Sequence, residues 1–325
     1  MRAFVTGATG FVGGRLARAL RGRDDEVVAL VRSRARAVAL ESLGCELVEG
    51  DLHAEPALRL GLEGCDAAFH CAADYRIGIA ASERSEMNET NVRGTETVLD
   101  AAIEAGVARI VYVSTVNAFG DTAGQVVDEA YERSPGAFVS AYDETKYLAH
   151  RAARERIARG APILIALPGV VYGPGDTSLA GGQIRDALHG KLLYLSFPTL
   201  GFNAVHVDDV VAGLLLVHDR GTVGESYVLG GQISTMREAI RLAAEAAGRR
   251  PPRLTMPTAL VRLLAPLALV AGPSLGLPRN LREVISASDG VTYWASDAKA
   301  RRELGYEPRD LETGLRDVVV ATASR

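Results

Sequence analysis

The sequence predicts an α/β fold built on an open parallel sheet, and three observations carry this prediction. Short apolar segments, which are typical of buried strands, alternate with segments of helical periodicity through the first half of the chain. The first apolar segment, Arg2–Thr6, leads directly into a glycine-rich turn and a helix, the order found in dinucleotide-binding folds. The alternation loosens after Pro174, where loops and short strands are expected.

The composition limits the classes of protein to which the chain can belong. With 325 residues, of which 48% are hydrophobic and 23% charged, the chain has enough material for one large domain or two interleaved ones. Its net charge of -4 provides no basic footprint for nucleic acid. The three cysteines, Cys45, Cys65 and Cys71, have no metal-ligand spacing. We therefore expect a protein of the reduced cytoplasm with no metal and no partner nucleic acid.

The glycine-rich turn is Gly7-Ala8-Thr9-Gly10-Phe11-Val12-Gly13, and Leu16, Ala17 and Leu20 continue it at helical spacing. Glycines at these positions allow a tight turn and a close approach of the backbone to a pyrophosphate. The start of the following helix supplies free N–H groups and a positive dipole potential. The turn therefore predicts a dinucleotide cofactor, although its spacing is G-x-x-G-x-x-G rather than G-x-G-x-x-G.

The end of the second predicted strand, Glu26–Val31, bears on which dinucleotide binds. A fold that selects NAD normally places a carboxylate there to accept the ribose 2′-OH. This chain has Arg32 instead, with Arg34 and Arg36 beyond it. A guanidinium attracts a 2′-phosphate, so the sequence favours NADP(H) over NAD. The alternative is that these arginines only solvate the start of a helix.

Four further strands are expected in the first half of the chain. Asp51, at the exit of the third strand, is placed to reach the adenine, and the small residues that end the fourth strand let a cofactor lie across it. His70, in the fourth strand, is expected to be packed rather than catalytic. The predicted strands are Glu46–Leu52, Ala67–Ala73, Arg109–Ser114 and Ile163–Leu167, with a helix over Ser85–Ala105.

Tyr142 and Lys146 are four residues apart, and downstream Leu148, Ala149, Ala152 and Ala153 support a helix that puts both side chains on one face. A phenol is a poor acid and base at neutral pH because its reference pKa is near 10. A neighbouring ammonium is expected to lower the pKa of Tyr142 and so to make a proton-transfer pair. Alone, the same pattern also fits a surface helix with an incidental tyrosine and lysine.

The second half of the chain is expected to mix loops with short elements. Gly181, Gly182 and Phe197–Phe202 are predicted to lie in loops and short strands, and a helix is expected from Val205, with Asp208 as its N-cap. The remaining predicted elements are a strand at Tyr227–Leu229 and helices at Met236–Gly248, Ala298–Leu304 and Leu311–Val319.

Leu254–Leu277 is apolar but is interrupted by Pro257, Arg262, Pro266 and Pro273. Its longest apolar run, Leu263–Gly272, is shorter than the roughly 20 residues that span a bilayer. We expect no membrane span here, and a buried helix or the wall of an apolar pocket is the favoured interpretation. Peripheral membrane contact is the alternative.

Taken together, the motifs resemble the extended short-chain dehydrogenase/reductase family of the NAD-dependent epimerase/dehydratase type. Within it, Phe69–Arg76 and His206–Gly213 look most like the branch of dihydroflavonol-4-reductase-like proteins and hopanoid-associated sugar epimerases. The motifs occur in order, and they are Gly7-x-x-Gly10-x-x-Gly13, Asp51-Leu52, Asn91-Val-x-Gly94-Thr95, Ser114-Thr115, Tyr142-x-x-x-Lys146, Pro168-x-x-Val171-Tyr-Gly173-Pro174, His206-Val-Asp-Asp209 and Gly305-Tyr306-x-Pro308 with Leu311-Glu312-x-Gly314.

The resemblance implies a Rossmann fold, a doubly wound parallel sheet, followed by a smaller α/β C-terminal substrate-binding domain. It implies an NADP(H)-binding domain over residues 1–175, to which 203–230 return, and a substrate-binding lid from 176–202 and 231–325. A homodimer through the helices of Asn91 and Tyr142 is usual in the family. The catalytic set that it implies is Thr115, Tyr142, Lys146 and Asn91, with Thr115 in place of the commoner serine.

The same resemblance and the positions of the strand ends indicate the binding residues. Cofactor contacts are expected from Gly7, Thr9, Gly10, Phe11, Val12, Gly13, Arg32, Asp51, Leu52, Ala72, Ala73, Tyr142, Lys146, Pro168, Gly169 and Val171. Substrate contacts are expected from Tyr75, Asn117, Phe119, Tyr172, Gln183 and Phe202, with Arg76 and Arg185 as the nearby cations.

Two enzymatic functions compete. The first is reversible hydride transfer between NADP(H) and a carbonyl or secondary alcohol. The second is a nucleotide-sugar epimerase or dehydratase, but such enzymes usually carry an arginine four residues before His206, where this chain has Phe202. An apolar wall favours an aromatic or alicyclic carbonyl compound over a diphosphate. A non-catalytic NADP(H) sensor is the third hypothesis, and it would be expected to lack Tyr142 or Lys146.

Overall fold

The computed structural model describes residues 1–134, 136–271 and 278–323. Its main sheet is parallel throughout, with the strand order β10-β6-β5-β4-β1-β2-β3. The thirteen strands described are β1 Arg2–Thr6, β2 Glu26–Val31, β3 Glu46–Glu49, β4 Ala67–His70, β5 Arg109–Val113, β6 Ile163–Pro168, β7 Val170–Tyr172, β8 Tyr194–Leu195, β9 Gly201–His206, β10 Ser226–Leu229, β11 Gln232–Thr235, β12 Leu254–Thr255 and β13 Thr292–Tyr293.

Helices cover both faces of this sheet, as its strands, which are buried on both faces, require. Helices α1, α8 and α12 pack on one face and α3, α5 and α6 on the other. The described helices are α1 Phe11–Gly22, α2 Val38–Ser42, α3 Glu55–Leu62, α4 Arg84–Asn88, α5 Gly94–Glu104, α6 Ala141–Ala158, α7 Leu179–Leu188, α8 Val207–Arg220, α9 Met236–Ala246, α10 Thr258–Ala271, α11 Leu281–Ser286, α12 Ala298–Leu304 and α13 Leu311–Ala323. The predicted doubly wound Rossmann fold is confirmed.

A second, smaller sheet lies in the C-terminal part of the chain. Strand β9 pairs antiparallel with β11 and parallel with both β7 and β13. Helices α7, α9 and α13 enclose a separate apolar core beside it. Strand β10 returns to the main sheet, whereas β9 belongs to the small one. The predicted domain boundaries at 175, 203 and 230 stay predictions.

Two local predictions for the second half are wrong. Gly181 and Gly182 lie inside α7 rather than in a loop, because the Ser178 hydroxyl caps this helix by accepting from the Gly181 N–H at 3.0 Å. The next helix begins at Val207, and its N-cap is His206 rather than Asp208. The His206 Nδ1 accepts from the Asp208 N–H at 3.3 Å.

Helix α10 was expected to be buried or to line a pocket, and over its described residues this expectation is wrong. Only its inner face is packed, through Val261 and Ala265, while Leu260, Leu263 and Leu264 are exposed. The end of the predicted apolar stretch, 272–277, lies outside the described residues. Among the helices that the structure describes, none is long and apolar enough to cross a membrane.

Candidate active site

The carboxyl ends of β1, β4, β5 and β6 meet at one edge of the parallel sheet, where open α/β sheets bind their ligands. His70, at the end of β4, is fully packed there. Its two ring nitrogens lie 2.8 Å from the Thr6 hydroxyl and 3.0 Å from the Thr95 hydroxyl. Burial lowers the pKa of His70 to about 3. His70 is therefore a neutral packing residue, as expected from the sequence.

The glycine-rich turn between β1 and α1 has no room for a side chain at Gly7 or Gly13. Gly7 has a positive φ of 71°, and a Cβ there would lie 2.7 Å from the Ala72 nitrogen. A Cβ on Gly13 would lie 2.3 Å from the Gly7 carbonyl oxygen. Helix α1 follows Gly10, and among the described residues no side chain caps its first N–H groups. The turn is thus a backbone cradle with free donors, which fits a dinucleotide pyrophosphate.

The arginines after β2 have different surroundings. Arg34 donates to the Leu47 carbonyl oxygen at 2.6 Å, which ties its side chain to β3. Arg32 is exposed, and the part of the chain that the structure describes holds no partner for its guanidinium. Asp51 is also exposed, and its carboxylate accepts from the His53 N–H at 2.9 Å. Arg32 is therefore available to a ligand at the end of β2.

Helix α6, which carries Tyr142 and Lys146, is fixed at its start by three groups. The Ser140 hydroxyl accepts from the Asp143 N–H at 3.1 Å and caps the helix. The Asp143 carboxylate is buried and accepts from both terminal nitrogens of Arg133, at 2.5 and 3.2 Å. Glu283 of α11 accepts from the Ala141 N–H at 2.5 Å. The C-terminal region therefore holds the first turn of α6 directly.

Tyr142 is 7% exposed. Its ring packs against that of Tyr75 in an edge-to-face arrangement, with the ring centroids 4.7 Å apart. Burial raises the pKa of Tyr142 well above its ordinary value, and the neighbouring Tyr75, Tyr112 and Asp74 raise it further. The Thr115 hydroxyl opposes this shift by hydrogen bonding. The expectation of a lowered pKa is therefore wrong, because removal from water outweighs any effect of the lysine charge. At neutral pH the phenol keeps its proton.

The Lys146 ammonium points toward the end of β5. Its Nζ donates to the Val113 carbonyl oxygen at 3.2 Å and lies 3.5 Å from the Tyr112 hydroxyl. Burial lowers the pKa of Lys146 to about 8. The lysine therefore stays mostly charged at neutral pH but gives up its proton more readily than an exposed lysine.

Thr115 follows β5 and faces the end of β6. Its hydroxyl donates toward the Asn117 side-chain oxygen at 3.2 Å and the Pro168 carbonyl oxygen at 3.4 Å. These contacts bring Thr115 together with the Pro168-Gly169 segment. The Thr115 hydroxyl also hydrogen bonds with the Tyr142 phenol, so the hydroxyls of these two candidate residues lie close together.

Asn91 lies in a π-helical turn, Glu89–Arg93, between α4 and α5. Its amide oxygen accepts from the Asp74 N–H at 2.7 Å. Its amide nitrogen donates to the Asp74 carbonyl at 2.9 Å and the Thr145 hydroxyl at 3.0 Å. The wider turn places this buried side chain against the loop after β4 and against α6. Asn91 thus holds these two segments together rather than contacting the Tyr142 phenol itself.

The candidate substrate residues fall into two groups. Tyr75 is exposed beside Tyr142, and Asn117 and Gln183 are half-buried, with the amide oxygen of Gln183 lacking any partner among the described residues. The other three candidates are nearly inaccessible and pack into hydrophobic cores: Phe119, Tyr172 and Phe202. The expectation that these three line the pocket is not supported by their positions.

Sequence analysis missed Asp176, which lies just beyond the Gly173-Pro174 turn. Its carboxylate is buried, burial raises its pKa, and one of its oxygens has no hydrogen-bond partner among the described residues. It lies close enough to Tyr75 for its charge to act on that phenol. The only signal in the sequence is an Asp two residues before Ser178, which predicts a turn and no site.

The site combines a glycine cradle with a buried tyrosine and a lysine one helical turn later. Together with the fold, this places the protein in the class of dinucleotide-binding oxidoreductases. Comparison with known sequences agrees with this class. The sequence profile of the NAD dependent epimerase/dehydratase family matches residues 3–230. The chain belongs to this family of extended short-chain dehydrogenase/reductases, and the resemblance inferred from the motifs is confirmed.

Individual relatives are similar over nearly the whole chain. A dihydroflavonol 4-reductase candidate of Synechocystis sp. is 33% identical and aligns with 97% of this chain and 93% of its own. The 4-hydroxy-2-methyl-3-oxo-4-farnesyl-3,4-dihydroquinoline-1-oxide ketoreductase of Stigmatella aurantiaca is 34% identical. The alignment covers 95% of this chain and 92% of the ketoreductase. Among solved structures, the crystal structure of the DesIV double mutant, a dTDP-glucose 4,6-dehydratase from Streptomyces venezuelae with NAD bound, matches with a TM-score of 0.80. Its sequence is 27% identical, and the match covers 100% of this chain and 98% of the dehydratase chain.

Proposed function

We propose that the protein is an NADP(H)-dependent carbonyl reductase of the extended short-chain dehydrogenase/reductase type. The observation that carries this proposal is the environment of Tyr142, a buried phenol that keeps its proton at neutral pH beside the Thr115 hydroxyl. Reduction of a carbonyl group to an alcohol requires a proton donor of this kind. Similarity to a ketoreductase and to a dihydroflavonol reductase candidate supports the same direction.

In the proposed mechanism each residue acts on the carbonyl oxygen or on its proton. When bound, the nicotinamide supplies the hydride to the carbonyl carbon. Thr115 donates a hydrogen bond that orients the carbonyl oxygen, and Tyr142 gives that oxygen its phenolic proton. The positive charge of Lys146, one turn along α6, then stabilises the phenolate that remains. Asn91 is the positioning residue that holds the loop after β4 against α6.

The charges around the cleft favour an uncharged substrate. Arg76, the nearest cation to Tyr75 in the sequence, is paired with Asp74 at 2.9 Å, Glu83 at 2.9 Å and Glu86 at 3.5 Å. A diphosphate would have to compete with three carboxylates for this guanidinium, and the buried Asp176 would repel it. We therefore propose an aromatic or alicyclic ketone or aldehyde, with Tyr75, Asn117 and Gln183 among its contacts.

The cofactor is proposed to be NADP(H) because the exposed Arg32 guanidinium replaces a carboxylate at the end of β2. We expect tighter binding of NADPH than of NADH when both are titrated by fluorescence. Arg32→Asp should reverse this preference. Arg18→Asp makes the same charge change on an exposed site of α1 and should leave the preference unaltered. Equal affinity for the two cofactors in the unaltered protein would refute the assignment.

The catalytic assignment is tested with Tyr142→Phe and the matched control Tyr147→Phe on the same helix. A panel of carbonyl compounds with NADPH identifies a substrate first. Tyr142→Phe should then reduce turnover by about 10²–10⁴-fold while NADPH binding is retained, because only the proton donor is lost. Tyr147→Phe should keep turnover within about twofold, because its ring stays under the Arg133 guanidinium. Near-normal turnover in Tyr142→Phe would refute the mechanism.

A nucleotide-sugar epimerase or dehydratase is the second candidate, supported by similarity to the DesIV dehydratase. It predicts that UDP or dTDP raises the melting temperature and competes for the site. The reductase proposal predicts no such stabilisation, because the Arg76 guanidinium is already paired with three carboxylates and the buried Asp176 carboxylate would repel a diphosphate. Stabilisation by a nucleoside diphosphate, with no carbonyl compound turned over, would favour the second candidate.

We also propose that the enzyme is a cytoplasmic homodimer that associates through the helices of Asn91 and Tyr142. The α5–α6 surface carries an ion pair between Arg156 and Asp100, with two contacts of 2.6 Å, at its edge. Light scattering after gel filtration should give twice the mass of the chain. A monomer mass at all concentrations would refute this arrangement.

A further inference from the structure

Six large apolar side chains form an exposed surface on the C-terminal region, which we name the outer apolar face. Leu193 is 78% exposed, Leu254 70% and Leu263 74%. A soluble chain normally covers an apolar surface of this kind. The members of the face are Leu193, Tyr194, Leu254, Leu260, Leu263 and Leu264.

The elements that carry the face are neighbours in the fold. Strand β12 pairs with β8, so that Leu254 lies opposite Tyr194, and three residues after Leu254 the chain reaches Pro257 and enters α10. The inner side of α10 packs through Val261 against a cluster that contains Phe197, which follows β8. Helix α10 is therefore apolar on both its inner and its outer side, a pattern typical of helices that are covered on both sides.

The charges around the outer apolar face are mostly positive. Between Glu245 and Glu283 the sequence carries six arginines and no carboxylate. Asp289, further along the chain, pairs with Arg262 at 3.1 Å. All six arginines are exposed, and Lys191, also exposed, lies two residues before Leu193. The arginines are Arg249, Arg250, Arg253, Arg262, Arg279 and Arg282.

We propose that the outer apolar face docks on an anionic lipid bilayer, with the leucines at the acyl boundary and the arginines at the headgroups. An exposed apolar helix among basic side chains is the chemistry that binds such an interface. A second copy of this chain is a poorer occupant. In a twofold dimer the face would meet itself, and arginine-rich surfaces would then oppose each other.

The docked orientation brings the membrane close to the active-site region. The cluster beneath α10 also contains Ile77, which lies two residues after Tyr75. Glu283 of α11 holds the first turn of the catalytic helix. A substrate that partitions into the bilayer would thus reach the protein on the side where the loop of Tyr75 lies. The docking itself does not depend on the proposed reductase reaction.

The test is co-sedimentation of the full chain with sucrose-loaded vesicles. One set contains only phosphatidylcholine, and the other contains about one-third phosphatidylglycerol. We expect binding to the anionic vesicles at least about tenfold tighter than to the neutral ones. Raising the salt to about 1 M, where the Debye length is about 3 Å, should remove most of this difference.

The variant Leu263→Glu should reduce binding to anionic vesicles by about tenfold or more, because it places a charge at the acyl boundary. The matched control is Leu60→Glu on α3, where a leucine is 61% exposed outside the face. It makes the same change and should bind as the unaltered protein does. Leu254→Glu tests the same face through β12, and the melting temperature of each variant reports its folding.

Three results would overturn the proposal. The first is no sedimentation with either vesicle set. The second is equal loss of binding in Leu60→Glu and Leu263→Glu. The third is that the unaltered protein does not bind vesicles and that Leu263→Glu has half its mass in light scattering. That result would make the face a subunit contact. Each readout is independent of turnover, so failure of the reductase proposal would leave it unaffected.

Discussion

The buried ion pair at the start of α6 leads to a quantitative prediction. Asp143 is 0% exposed, and its side chain accepts from Arg133 at 2.5 and 3.2 Å and from the Val139 N–H at 3.0 Å. The same guanidinium donates to the Ala137 carbonyl at 2.7 Å and stacks on Phe138. Four hydrogen bonds at the loop before α6 therefore involve this pair.

Asp143→Asn removes the charge but preserves the shape, so that a guanidinium stays buried without its counter-ion. Breaking a buried pair in this way costs about 3–5 kcal/mol of unfolding free energy. Arg133→Met should cost a similar amount, because it leaves the carboxylate unpaired. The double variant should lose at least about 2 kcal/mol less than the sum, since neither charge is then buried alone. The control Glu245→Gln breaks the exposed pair with Arg241 and should cost under about 1 kcal/mol.

Urea unfolding followed by the fluorescence of Trp294, the single tryptophan of the chain, measures these values. We also expect Asp143→Asn to lower turnover more than NADPH affinity, because Tyr142 is adjacent to it, whereas the glycine turn belongs to β1 and α1. Losses below about 1 kcal/mol in both single variants, or a double variant that equals their sum, would refute the reasoning.

Two further predictions concern the glycine turn and the buried histidine. Gly13→Ala should weaken NADPH binding by at least about tenfold, because its Cβ would lie 2.3 Å from the Gly7 carbonyl oxygen. In the control Gly22→Ala nothing lies within 4 Å of the new Cβ, so NADPH affinity should be kept and stability should rise by up to about 1 kcal/mol. Equal NADPH affinities in titrations of the two variants would contradict this prediction. Because burial lowers the pKa of His70 from 6.5 to about 3, the unfolded chain binds a proton below pH 6.5 that the native chain does not. Stability should therefore fall as the pH falls, by about 2 kcal/mol at pH 5, and His70→Gln should remove this part of the slope in urea unfolding at several pH values.

The main sheet was predictable because its elements are local patterns. The bounds of β1 and β2 agree with the apolar segments Arg2–Thr6 and Glu26–Val31, since a strand buried on both faces is a continuous apolar run. The helix of Tyr142 was equally clear from its spacing. The glycine turn could be located because a close approach of backbone to backbone leaves only glycine as a choice.

The catalytic candidates could be named from the sequence, but their chemistry and half of the substrate candidates could not. The spacing of residues selected Tyr142 and Lys146, the family resemblance added Thr115, and the structure brings all three to one sheet edge. The direction of the Tyr142 pKa shift was predicted wrongly, because desolvation depends on every group packed around the ring and not on the lysine alone. Asp176 was missed because an unpaired buried carboxylate cannot be seen before the surrounding chain is placed.

By itself, then, the sequence determined the order of strands and helices, the glycine cradle, the family and the tyrosine–lysine helix. These features depend on residues close together in the chain, where periodicity and steric limits act directly. The tertiary structure alone decided that Phe202 is a core residue, that Gly181 lies in a helix, that Arg76 is neutralised and that Leu263 is exposed. The physical reason is that burial and charge pairing arise between residues distant in sequence, so their outcome exists only once the chain is folded.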